Sequence, residues 1–96
     1  MIGGAPNRFL ESVASGNNTV YIFRGITYWA QGWTISKGFH YEIYQHEPYD
    51  PIISNQNMWE YDGLDSYDCM HAFEKAPIFD GKTFWEVESE IEWIDW

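Results

Sequence analysis

Trp33-Thr34-Ile35-Ser36-Lys37-Gly38-Phe39-His40-Tyr41-Glu42-Ile43-Tyr44-Gln45 is the stretch whose reading decides the fold. It reads as a β-hairpin, and the pattern of apolar residues has to choose the register. A two-residue turn at Lys37-Gly38 sets Ile35 against His40 and Trp33 against Glu42, which leaves both faces mixed. A three-residue turn, Ser36-Lys37-Gly38, ends in a left-handed residue that glycine adopts without a Cβ clash. It sets Ile35 against Phe39, Trp33 against Tyr41 and Gln31 against Ile43. The opposite face then carries Thr34, His40, Glu42 and Tyr44, so that one face is apolar and the other wettable, as a sheet covered on one side requires. The three-residue turn is the register expected, with Trp33, Ile35, Phe39, Tyr41 and Ile43 on the covered face.

Upstream, Thr19 to Gln45 is rich in β-branched and aromatic residues and is punctuated by Arg24-Gly25, Gln31-Gly32 and Lys37-Gly38. This spacing suits a meander of short strands near 19–24, 26–30, 33–36 and 39–45. If Gly25 is a bulge instead of a turn, the strands number three. Val20 to Phe23 is apolar on both faces, the mark of an interior strand. Before the meander, Asn7 is placed to cap a short helix with Phe9, Leu10 and Val13 on one face, and Gly16 to end it.

Downstream, residues 46–63 read as a long connection, with Pro48, Asp50-Pro51, Ser54 to Asn57 and Asp62-Gly63 favouring turns. Ile52, Ile53, Met58, Trp59 and Tyr61 would pin it across the sheet, and Ile52-Ile53 or Met58 to Tyr61 can add a short edge strand. Asp65 starts a helix over about residues 66–75, in which Tyr67, Met70 and Phe73 recur at helical spacing until Ala76-Pro77. Residues 83–94 fit two patterns. As a helix, Thr83 and Glu86 form a capping box and Phe84, Val87, Ile91 and Ile94 a stripe, with Trp85, Trp93 and Trp96 on its back. As a strand, Trp85, Val87, Ile91 and Trp93 share one face and Glu86, Glu88, Glu90 and Glu92 the other. Glutamate favours helices and four stacked like charges repel, so the helix is expected. The fold expected is a single α+β domain over residues 1–96, with a short N-terminal helix, a three- to four-stranded antiparallel β-meander and two C-terminal helices packed on one face.

Composition bounds the function. Aromatic residues make up 20% of the chain, and their large buried areas let a short chain form a core without disulfides. Fifteen acids face five bases, a net charge of −10. The excess lies after residue 41, where fourteen acids face only Lys75 and Lys82. Such charge disfavours direct binding to nucleic acid or to an anionic membrane and favours a basic protein or nucleic-acid-binding protein as partner. No apolar run approaches membrane-spanning length. The first residues lack the basic start and apolar run of a signal peptide, and the lone Cys69 fits a reducing compartment. A cytoplasmic protein is expected.

Chemistry-bearing patterns are sparse. His40, Glu42, Tyr44 and His46 alternate on one strand face, and imidazole with carboxylate suits zinc. At about 3.3 Å per residue, however, His40 and His46 stand too far apart along a straight strand to share an ion. Cys69 and His71, two apart on a helix, do not face each other, so Cys69 is expected as a small buried hydrophobe. Fifteen acids offer too many carboxylate pairs to single one out as an acid/base couple. No phosphate-binding loop, nucleophile elbow or zinc-protease pattern occurs. The sequence therefore assigns no catalytic residue, metal ligand or cofactor.

What remains is binding. Glu86, Glu88, Glu90 and Glu92, interleaved with Trp85, Trp93 and Trp96, are the candidate partner-binding residues of a non-enzymatic interaction or inhibitory module, the tryptophans anchoring and the carboxylates steering. The same tryptophans would also serve a homodimer seam. The alternatives are a small-ligand or carbohydrate binder with Trp and Tyr platforms, and a small metal-dependent or hydrolytic enzyme.

Overall fold

The computed structural model describes residues 1–47 and 57–94. The chain enters through helix α1 (Pro6–Ala14). Ala5 occupies the capping position, and Asn7 lies inside the first turn instead of capping it. Pro6 sets the start, because its fixed φ is already helical and the N–H it lacks would have no partner in the first turn. Phe9, Leu10 and Val13 form the buried face, as their spacing predicts.

Strands β1 (Thr19–Phe23) and β2 (Ile26–Ile35) follow, joined by Arg24-Gly25. Both turn residues are left-handed, with φ of 51° and 80°, which matches the twist of a two-residue hairpin. Gly25 is therefore a turn and not a bulge. β2 runs without a break through Gly32, so the split expected at Gln31-Gly32 does not occur.

The decisive hairpin, β2 with β3 (Gly38–Glu47), closes around Ser36-Lys37. Ile35 pairs with Gly38, Thr34 with Phe39, Trp33 with His40 and Gly32 with Tyr41, one residue away from the expected register. Two glycines account for the shift. A Cβ on Gly32 would lie 2.5 Å from the Phe39 ring and 2.6 Å from the Tyr41 ring, so glycine opposite Tyr41 opens the space both aromatics fill. A Cβ on Gly38 would meet the Gly63 carbonyl oxygen at 2.1 Å, and its φ is 154°, so glycine serves both a close backbone approach and a conformation that other residues rarely adopt. Phe39, Tyr41 and Ile43 do point to the covered side, and Tyr41 and Ile43 are fully buried. Trp33 and Ile35 do not. The pleat turns them to the opposite face, where Trp33 is 45% exposed.

Strand β4 (Asn57–Gly63) pairs with β3 and is the edge strand foreseen over Met58 to Tyr61, somewhat longer. Ile52 and Ile53 lie outside the described residues. Trp59 and Tyr61 pack on the core from β4. Helix α2 (Ser66–Lys75) has the expected bounds, with the Asp65 carboxylate accepting from the Asp68 N–H.

Residues 83–94 divide where a single helix is expected. Helix α3 (Phe84–Val87) carries the capping box of Thr83 and Glu86. A 3-10 turn over Glu88–Glu90 then leads into strand β5 (Ile91–Ile94). β5 pairs with β1, Phe23 opposite Ile91 and Tyr21 opposite Trp93. A helix continued to Ile94 would leave the outer edge of β1 without ladder partners, and that demand overrides the helix propensity of the glutamates. Phe84, Val87 and Ile91 are buried, and Val87 and Ile91 fall on the apolar face in both patterns.

The sheet is antiparallel, in the order β4-β3-β2-β1-β5. β1 lies inside it, as its two apolar faces predict. All three helices cover one face. Phe9 stacks on Phe84 at 5.5 Å and meets the edges of Tyr21 and Trp93 at 5.7 Å and 5.6 Å, while Phe73 packs on Trp59 at 6.2 Å. The aromatic excess divides by type: Phe9, Phe23, Phe73, Phe79 and Phe84 are buried, whereas no described tryptophan is. Trp59 and Trp93 pack against the core from its rim, whereas Trp33 stands on the opposite sheet face. The observed class is thus α+β, with five strands and three helices among the described residues.

Candidate functional site

The pleat that buries Tyr41 and Ile43 turns the alternate side chains of β3 to the face opposite the helices. His40 and Glu42 therefore stand side by side there, as the sequence predicts. The neighbouring strand adds what a single strand lacks. His40 pairs across the ladder with Asp62, and Glu42 with Glu60. The Nδ1 atom of His40 is hydrogen-bonded to Asp62, and its Nε2 atom lies 3.4 Å from Glu42 Oε2. From β2, the Gln31 amide donates to Glu42 Oε1 at 3.1 Å. The Trp33 ring packs on the imidazole, centroids 4.8 Å apart.

One donor atom each from His40, Glu42 and Glu60 lies within 4.8 Å of the other two. The His40 and Glu42 side chains are only 17% and 15% exposed, while Glu60 is exposed, so the cluster is held from behind and open at its edge. The hydrogen bond to Asp62 is the main force raising the His40 pKa, opposed by burial and helped by Glu42. Opposed like charges such as Glu42 and Glu60 repel across an antiparallel pair, so the arrangement favours a cation between them. His40 to His46 along the strand remains a long span, and the His46 side chain is outside the described set.

The helix side carries a second feature. A groove of about 430 Å³ runs between α1 and α2 beneath α3, floored by Leu10, Ala14 and Met70. Tyr67 and Trp85 flank it and are 64% and 48% exposed. Glu11, His71 and Glu74 supply its charge. The Trp85 indole donates to Glu74 Oε2 at 2.9 Å, and His71 Nδ1 lies 3.0 Å from Glu74 Oε1. The indole bond, followed by the bond to His71, holds the Glu74 carboxyl below its ordinary pKa.

The residues singled out in the C-terminal run do not form one surface. Trp85 is at the groove. Glu86 closes the capping box, its carboxylate accepting from the Thr83 N–H at 3.0 Å. Glu88 lies 2.7 Å from the Met1 amino group, and Glu90 3.2 Å from Arg24, which also binds Asp80 at 2.7 Å. Trp93 packs on Phe9 and over Gly4 on the helix side, whereas Glu92, the next residue along β5, points to the other face. Trp96 is outside the described residues. Much of the acid run therefore holds caps and chain ends together.

Cys69 is fully buried, its thiol donating to the Phe39 carbonyl at 3.3 Å and its pKa raised chiefly by burial. It is the small core hydrophobe expected, and His71 turns away from it to Glu74. The groove residues Leu10, Tyr67, Met70 and Glu74 escaped sequence reasoning, because only the packing of two helices makes them neighbours. Their one signal was helical spacing of Tyr67, Met70 and Glu74. No described helix is long and apolar enough to cross a membrane. Compared with known proteins, the chain matches no protein-family model, no curated protein and no solved structure.

Proposed function

We propose that the protein is a non-enzymatic interaction module that takes a basic segment of a protein partner into the groove between α1 and α2. The observation that carries this reading is the groove itself. Two exposed aromatic rings, Tyr67 and Trp85, flank an apolar floor with the carboxylates Glu11 and Glu74 beside it. A lysine or arginine side chain has an apolar stem and a cationic head, and such a site suits both parts: the floor takes the stem, and ring faces and carboxylates take the charge. The net charge of −10 adds long-range attraction. Of the candidate partner-binding residues, Trp85 is the anchor in this reading. Glu86, Glu88 and Glu90 act through their structural bonds, and Trp93 as part of the core rim.

The test is a titration of the isotope-labelled protein with an arginine-rich peptide, followed by NMR. Shifts should concentrate at Leu10, Tyr67, Met70, Glu74 and the Trp85 indole, and binding should weaken as salt is raised. Trp85→Ala should lower affinity by about 2 kcal/mol, roughly thirtyfold, as aromatic anchors do. Shifts confined to the sheet face, or affinity indifferent to Trp85, would overturn the reading.

A further inference from the structure

The geometry points to a binding site for a divalent transition-metal ion of the zinc type on the open sheet face, with His40 Nε2, Glu42 and Glu60 as ligands and Asp62 and Gln31 as their orienting partners. It stands independently of the groove, which lies on the helix side.

The donor set comes first. One imidazole and two carboxylates present a mixed nitrogen and oxygen environment, which suits zinc and its neighbours better than calcium or magnesium, whose sites are built from oxygen. Orientation points the same way. A metal-bound histidine almost always gives its other ring N–H to a carboxylate or carbonyl, which fixes the tautomer and leaves the far nitrogen's lone pair for the ion. Asp62 takes Nδ1 of His40, and Nε2 is the nitrogen turned to Glu42. Gln31 does the equivalent for the carboxylate, holding Glu42 Oε1 while Oε2 faces the imidazole.

The distances also suit an ion. Four ligands at about 2.1 Å in a tetrahedron stand about 3.4 Å from one another. The His40–Glu42 contact is 3.4 Å. The widest of the three separations is at most 4.8 Å, so Glu60 has to close by up to about 1.4 Å. Glu60 is the exposed member, on an edge strand, and exchanging its present interaction for the ion by a turn about its side-chain bonds supplies that movement with the ladder in place. With three protein ligands, a fourth position is left for water or for an atom of a partner. The two opposed carboxylates lose their mutual repulsion once the cation is between them.

The experiment is calorimetric titration of chelator-treated full-length protein with Zn²⁺, alongside NMR of the imidazole nitrogens. One ion per chain is expected, with His40 Nε2 shifting on saturation while His71 stays in place. His40→Ala, Glu42→Gln and Glu60→Gln should each weaken binding at least tenfold, and Asp62→Asn about 10–100-fold, the range for residues that orient a ligand. Glu90→Gln, beside Arg24 at the opposite end of the sheet, should leave affinity unchanged. Melting of each metal-free variant shows whether it folds. If one does not, the nitrogen shifts in the unaltered protein decide. Absence of stoichiometric binding, a shift at His71 or His46 in place of His40, binding that survives His40→Ala, or equal affinity for Ca²⁺ would overturn the site. Failure of the arginine-rich peptide to bind, with zinc binding intact, would remove the groove reading alone.

Discussion

Replacing Gly32 by alanine tests the hairpin register through the sign of its effect. The added Cβ would lie 2.5 Å from Phe39 Cε1, 2.6 Å from Tyr41 Cδ2 and 2.8 Å from the His40 carbonyl oxygen. Ordinary contacts are near 3.5–4 Å, so each neighbour has to give by about 1 Å. Tyr41 is fully buried and the His40 carbonyl belongs to a strand paired on both sides, so neither yields cheaply. Overpacking of this kind costs about 1–3 kcal/mol. Against it stands a gain of about 0.4–1 kcal/mol, because alanine restricts the unfolded chain. The two ranges differ by about 0–2.6 kcal/mol, with a midpoint of about 1.3 kcal/mol, or about 5–10 °C in Tm for a chain of this size. Urea and thermal unfolding followed by circular dichroism measure it. In the register with Trp33 opposite Tyr41, Gly32 would instead face solvent, and alanine would be neutral or slightly stabilising. A Gly32→Ala protein as stable as the original would therefore refute the pairing described above.

Three further outcomes follow from the same geometry. Glu74 has a folded-state pKa below its unfolded value, so its contribution to stability is full above about pH 4.3, the ordinary glutamate value, and is lost as pH falls through the folded pKa. Glu74→Gln should flatten the acid side of the stability profile in urea melts between pH 3 and 6, and an unchanged slope would mean that Trp85 and His71 do not hold the carboxylate. Asp65→Ala removes the cap on α2 and should cost about 1 kcal/mol, read as a Tm lower by about 4–8 °C, whereas Ser66→Ala should change little. The Cys69 thiol should resist a thiol reagent in the native protein and react at the rate of unfolding, since it is fully buried on the inner face of α2, against β3; immediate labelling would contradict that burial.

The elements most legible in the sequence were those whose signals are local. Asp65 and the Tyr67, Met70 and Phe73 spacing delimit α2 because capping and helical periodicity act within a few residues. The apolar stretch Val20 to Phe23 announced an interior strand for the same reason. Failures came where a distant partner decides. Gly32 reads as a strand break until Phe39 and Tyr41 are seen lying over it, and the register moves by one residue to let them do so. Residues 83–94 carry Val87 and Ile91, which fall on the apolar face in the helical and the extended pattern alike, so their burial does not choose between the two. The unpaired edge of β1, seventy residues earlier in the chain, makes the last four residues a strand. The candidate ion site is the limiting case. Its first two ligands, His40 and Glu42, were visible as alternate residues, yet a third sought along the same strand falls too far away. Glu60 enters from a strand that follows an ill-patterned connection, through a register that no property of Glu60 itself encodes. In a sheet, neighbours across the ladder stand about 5 Å apart, whereas same-face neighbours along a strand stand about 7 Å apart. The residues best placed to share an ion are therefore the ones that sequence spacing is least able to bring together.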